Sequence, residues 1–128
     1  MLNLTKEGLL DRPGYDNAGI MLPEYNVAEV AAYTAEHPVW VHFGAGNIFR
    51  GFIAVLQQSL LNKGLAKSGI IAAETFDFDI VDKIYRPFDN LALLVGLKPD
   101  GGMVNSVIAS VTDAYCACKD RPEELSKL

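Results

Sequence analysis

Residues 39–43 read VWVHF, a short apolar run in which polar and hydrophobic positions alternate only weakly. That pattern predicts a strand covered on both faces. From about residue 48 to 63 the period changes. Phe49, Phe52, Ile53, Leu56 and Leu60 recur at helical spacing, which predicts a helix that turns those side chains inward. Gly64 is its stop signal. Residues 70–73, IIAA, form a second apolar run that ends at Glu74. Strand, helix and strand over 39–74 imply a parallel pair joined by a right-handed crossover.

The flanks are less regular. Residues 1–25 carry Arg12-Pro13-Gly14 and Asp16-Asn17-Ala18-Gly19, turn chemistry that predicts an arm or packed loop outside the core. Residues 26–36 read as a short helix, with Asn26 as its cap, Glu29 three residues on, and Val27, Val30, Ala31 and Ala35 as its stripe. Residues 75–90 have room for one or two helical turns before Pro87. Residues 91–97 and about 104–115 read as strands around the turn Lys98-Pro99-Asp100-Gly101-Gly102, a hairpin. Pro122, Glu123 and Glu124 mark a helix start close to the last residue, Leu128. The expected fold class is α/β, Rossmann-like, with a mixed sheet that includes the hairpin. The expected organisation is an arm and short helix at 1–38, a dinucleotide-binding domain at 39–118, and a truncated helix at 119–128.

Composition narrows the partners. Half the residues are hydrophobic and 21% are charged, as in a soluble globular domain. Lys and Arg number 11 against 16 acids, a net charge of −5. That surface repels phosphate backbones and argues against nucleic acid. No apolar run is long enough for a membrane span, and the first residues do not read as a secretory signal. Cys116 and Cys118 are expected as unbridged, inert thiols, consistent with a cytoplasmic protein.

The turn between the first strand and the helix carries the chemistry. It reads GAGNIFRG over 44–51. Gly44 suits a tight turn, and Gly46 lets a pyrophosphate approach the backbone. The usual third glycine is replaced by Phe49, expected to pack in the core. Asn47 is positioned to cap the helix or face a phosphate. Arg50 lies in the first turn, where a cation is unfavourable unless an anion is bound. Glu74, at the next strand end, is placed to accept hydrogen bonds from adenosine ribose hydroxyls, a lean towards NAD over NADP. His42 lies inside the strand and reads as a packed histidine, and His37 as an exposed one. No spacing supports a nucleophile or a catalytic metal.

The window VHFGAGNIFRGF, residues 41–52, resembles the cofactor loop of the mannitol dehydrogenase family. Gly44, Gly46, Asn47 and Arg50 match its order of glycine, any residue, glycine, asparagine and a later arginine. Phe49 departs from the mannitol-1-phosphate branch, which has glycine there. It suits the long-chain mannitol and the mannonate, altronate and tagaturonate-type branches. Weaker likeness runs through Leu22-Pro23-Glu24-Tyr25, Asp89-Asn90-Leu91 and the Lys98-Pro99-Asp100-Gly101 turn. The resemblance implies an N-terminal fragment that binds NAD. Its full-length parent would move a hydride between NAD and a polyol or sugar acid, of the mannitol/fructose or mannonate/fructuronate type. It also implies a missing C-terminal substrate domain, which would supply a lysine base with asparagine and histidine helpers, and no metal. No such catalytic residue has a match here, so the fragment alone is expected to be inactive. Three alternatives share parts of this pattern: a non-catalytic nucleotide-sensing domain, a purely structural α/β module, and a methyltransferase-like domain. The last is disfavoured because VWVHF lacks an acid.

Overall fold

The computed structural model describes all 128 residues. Its strands form two separate three-stranded sheets. The first runs β2 (Val41–Phe43), β3 (Ile70–Glu74), β6 (Val111–Cys116), all parallel. The second runs β1 (Ile20–Met21), β5 (Met103–Ile108), β4 (Ala92–Leu97), with β1 parallel and β4 antiparallel to β5. The hairpin is therefore present but stands outside the parallel sheet. The strand expected over 104–115 is two strands. The chain leaves one sheet at Ile108 and enters the other at Val111. Ser110 makes the join. It is fully buried, its hydroxyl donates to Ala54 O, and its carbonyl accepts from Ile70 N at 2.8 Å. Gly69 is required there, because a Cβ would lie 2.4 Å from Ser110 O.

The run VWVHF yields only a three-residue strand, and it lies at an edge. Phe43 is 64% exposed. The covered central strand is β3, where Ile70, Ala72 and Ala73 are fully buried. Short, small side chains allow helices to sit close to it.

After the glycine turn the chain is helical from 47 to 62, but its first full turn, Phe49–Ile53, is a π-helix. The regular part is α3 (Ala54–Asn62). The wide turn rotates the inward face. Phe49, Ala54, Gln57, Gln58 and Leu61 are buried, whereas Phe52, Leu56 and Leu60 face outward. The simple 3.6-residue stripe fails because it assumes an unbroken α-helix. Gln57 and Gln58 are buried without loss because both are bonded: Gln57 Nε2 donates to Ser68 O at 2.6 Å, and Gln58 Nε2 to Val107 O at 2.7 Å.

The arm is more ordered than its turn residues imply. It contains α1 (Arg12–Asn17), capped by Asp11, whose carboxylate accepts from Gly14 N at 3.1 Å. Leu9 and Tyr15 form a second core with Leu91, Val107 and Ala109. Asp11 takes the capping role, so Pro13 and Gly14 are absorbed into a first helical turn. Next comes α2 (Val27–Glu36), capped by Asn26 as expected; Thr34, not Ala35, is its buried residue. Thr34 Oγ1 accepts from Gly69 N at 2.8 Å and ties α2 to β3.

Residues 78–88 are helical throughout: α4 (Phe78–Ile80), a π turn at Val81–Tyr85, and a 3₁₀ turn at Arg86–Phe88 that contains Pro87. At the other end, α5 (Pro122–Leu125) is held by charge. Glu124 Oε2 accepts from Cys116 N at 2.7 Å and pairs with Arg86 at 2.6 Å, while Arg121 pairs with Asp82 at 2.6 Å. No helix is long and apolar enough to cross a membrane.

Candidate functional site

The parallel strands β2 and β3 end side by side, and the glycine turn continues directly from the end of β2. Gly44 has φ 103°, a conformation that strongly favours glycine. Its N–H donates to Ala73 O at 2.8 Å, continuing the ladder by one bond. Its carbonyl accepts from His42 Nδ1 at 3.0 Å, which sets the Nδ1-protonated tautomer. The His42 ring stacks on Phe49, centroids 4.3 Å apart. His42 and Phe49 thus brace the turn from below. Phe49 is buried, as its sequence position implies.

Ala45 is fully buried and held on both sides. Its N–H donates to Glu74 Oε2 at 3.1 Å, and its carbonyl accepts from Tyr85 Oη at 2.8 Å. Glu74 Oε1 also accepts from Thr75 N at 2.9 Å and Phe76 N at 3.1 Å. Glu74 is therefore at the strand end where the sequence places it, but buried and turned onto the loop. A carboxylate has about four acceptor positions, and three are occupied by backbone.

Beyond Ala45 the loop opens. A Cβ built on Gly44 or Gly46 meets nothing within 4 Å, so the space in front of both is free. The helix N-terminus starts there, and its first N–H groups have no partner inside the helix. Asn47 and Arg50 are brought together: Arg50 Nη2 donates to Asn47 Oδ1. The guanidinium carbon lies 5.5 Å from the Tyr85 ring centroid. Arg50 Nη1 is buried with no hydrogen-bond partner. Asn47 and Arg50 line one end of a recess of about 390 Å³ whose other walls include Ile84, Phe88 and Leu94. A larger groove, about 530 Å³ and lined by Trp40, Ile71 and Tyr115, includes none of these loop residues.

Tyr85 is the residue the sequence did not reveal. It sits in an irregular helical stretch with no motif, between Ile84 and Arg86, and nothing local marks it. Burial pushes its phenol up to about 12, so it is a hydrogen-bond donor at ordinary pH. Cys116 and Cys118 are both free thiols. Burial, then the nearby Glu124 carboxylate, push the Cys116 thiol up to about 11, so it stays unreactive near neutral pH.

A parallel β-α-β unit with a glycine turn at the strand ends, an acid on the neighbouring strand and an open helix N-terminus defines a Rossmann-like α/β fold. No family model matches the chain. D-mannonate oxidoreductase of Thermotoga maritima is 42% identical over 122 residues, which is 95% of this chain and 23% of that protein. Two solved structures superpose with a TM-score of 0.68 each. One is Pseudomonas fluorescens mannitol 2-dehydrogenase in ternary complex with NAD and D-mannitol, at 23% identity over 84% of this chain and 21% of that one. The other is a substrate-free D-sorbitol dehydrogenase, at 24% identity over 86% and 22%. The solved structures share the fold. The sequence resemblance to the mannitol dehydrogenase family, mannonate-type oxidoreductases included, holds. The chain spans about a quarter of the length of the curated relative it matches.

Proposed function

We propose that this chain is the NAD-binding part of an oxidoreductase acting on a polyol or sugar acid. The mannonate/fructuronate pair is the favoured substrate type, because the curated relative is a mannonate oxidoreductase. The observation that carries the cofactor reading is the clamped glycine turn, with open space in front of Gly44 and Gly46. That space is what a diphosphate requires, and a side chain at Gly46 would fill it.

In this reading the backbone N–H groups at the start of the helix hold the diphosphate, assisted by the helix dipole. Asn47 and Arg50 flank it, and a bound anion is what would make a cation favourable in the first turn of a helix. Glu74 has one acceptor position left for a ribose hydroxyl, and its charge disfavours a 2′-phosphate. When bound, NAD supplies the hydride chemistry. The chain's own residues bind and orient the cofactor. A general base and substrate pocket belong to further polypeptide, as the family resemblance implies, and residues 39–118 are taken as the cofactor-binding unit. The free thiols fit a reducing, cytoplasmic setting.

Isothermal titration of the 128-residue chain with NAD and NADP tests this. NAD is expected to bind more tightly than NADP. Folded protein that binds neither at millimolar concentration would refute the reading. The chain alone is expected to show no turnover of mannonate or mannitol with NAD. Measurable turnover by the purified chain would refute the assignment of the base elsewhere.

A further inference from the structure

We propose that Tyr85 is the positioning residue of the nucleotide loop. Its phenol holds Ala45, and its ring holds Arg50 beside Asn47, so that a diphosphate meets a preformed site. The inference rests on the cofactor reading above and adds a residue to it.

Ala45 lies between Gly44 and Gly46, the two residues that must approach the diphosphate. Both of its backbone polar groups are bonded to side chains from elsewhere in the fold: Glu74 at the end of β3, and Tyr85 in the π turn. A loop held this way loses little freedom when a ligand arrives, which favours binding. Tyr85 is only 2% exposed, so it cannot itself touch a ligand and must act through what it holds.

Packing alone does not account for this residue. A phenylalanine would fill the same volume without bringing a hydroxyl into the core, which is costly unless bonded. The hydroxyl spends its bond on a loop carbonyl 40 residues away in sequence. The same ring also faces Arg50, the candidate phosphate contact. One side chain thereby links the backbone and cationic halves of the site. It is carried on a π turn, a form of helix found often at functional sites.

The test is titration of wild type, Tyr85→Phe and Tyr85→Leu with NAD, ADP and adenosine. Tyr85→Phe keeps the ring and loses one hydrogen bond. It is expected to weaken NAD and ADP by about tenfold and to leave adenosine unchanged. Tyr85→Leu, which also removes the ring from Arg50, is expected to weaken ADP further. Unchanged ADP affinity in folded Tyr85→Phe would overturn the inference while leaving the cofactor reading intact. An equal loss for adenosine and ADP would also overturn it, because a general structural defect would do that. Failure of wild type to bind any of the three would overturn both. A measurement on the unmodified protein guards against variants that do not fold. The Ala45 amide is expected to exchange slowly before any ligand is added. Fast exchange there would mean that the loop is not preformed, and would refute the proposal.

Discussion

The two sheets contain three strands each, yet they do different things with their ends. In β2-β3-β6 every strand runs the same way, so the loops leaving β2 and β3 meet at one edge. The glycine turn, Glu74 and Tyr85 converge there. In β1-β5-β4 the hairpin reverses direction, and its outer positions Leu93, Val95, Leu97 and Met103 stay exposed. Parallel pairing gathers loops into a site. Antiparallel pairing spends its loop on the turn itself and leaves this sheet as a brace. The brace is useful only if it is fixed to the platform, and one side chain does much of that fixing. Gln58 donates to Val107 O and accepts from Ala109 N at 2.7 Å and from Tyr25 Oη at 3.1 Å.

Removing that joint is the largest single effect expected. Gln58→Leu keeps the volume but leaves Val107 O and Ala109 N unpaired in the interior. Each buried unpaired group costs about 1–3 kcal/mol. With the two costs taken as additive, the variant is expected to lose about 2–6 kcal/mol of stability in urea titration. A loss below about 0.5 kcal/mol would show that the two sheets do not depend on each other.

Gly44→Ala strikes the platform side alone. An alanine held at φ 103° is strained by about 1–3 kcal/mol. The turn can relieve that strain only by moving its backbone, which displaces Ala45 from Glu74 and Tyr85. The expected result is a modest fall in melting temperature and a loss of NAD affinity of at least about tenfold. Gly101 is the matched control on the brace side, since it also has positive φ, at 84°. Gly101→Ala is expected to lower stability similarly and to leave NAD affinity unchanged. Equal loss of affinity in both would remove the distinction between platform and brace.

Acid tests the attachment of α5 to the platform. Asp82 lies below the ordinary carboxylate range, chiefly because Arg121 hydrogen-bonds to it. Burial raises Glu124, but the Cys116 N–H and the Arg86 and Arg121 guanidiniums outweigh it and leave it lowered. A carboxylate depressed in the folded state stabilises it fully above the unfolded pKa of about 4, and that stability is lost as pH falls through the folded value. Amides of α5 and the end of β6 are therefore expected to lose exchange protection below about pH 4, before the β4-β5 hairpin does. Glu124→Gln is expected to remove much of that acid step. If the hairpin opens first, the ion pairs do not fasten α5.

The sequence made the platform legible because its signals are local. VWVHF, GAGN and IIAAE each encode one element, and their order gives the parallel unit. The brace was less legible for the opposite reason. Nothing within 104–115 says that the chain changes sheets at Ser110; that follows from contacts with Ala54 and Ile70, far away in sequence. The same holds for the site. Gly44, Gly46, Asn47 and Arg50 are one motif and lie together as read. Glu74 was placed correctly on its strand, but its turn towards Ala45 depends on a loop 29 residues earlier. Tyr85 depends on a π turn, which a helical period does not encode.

The π turn at Phe49–Ile53 leads to the smallest effect, and it separates the two faces of one helix. A regular period puts Phe52, Leu56 and Leu60 inside with Phe49. The wide turn instead leaves Phe52 61% exposed and buries Phe49 to 4%. Large apolar residues are usually costly to truncate, by about 3–5 kcal/mol for a buried phenylalanine. Phe52→Ser should escape that cost. Its expected change in stability is within about 0.5 kcal/mol, as for an ordinary surface position, and NAD affinity is expected to be unchanged. A loss of several kcal/mol would mean that the helix is regular in solution with Phe52 inside. The same result would displace Arg50, which lies within that turn, from its place over Tyr85. The quietest substitution is thus also a check on the geometry of the glycine turn.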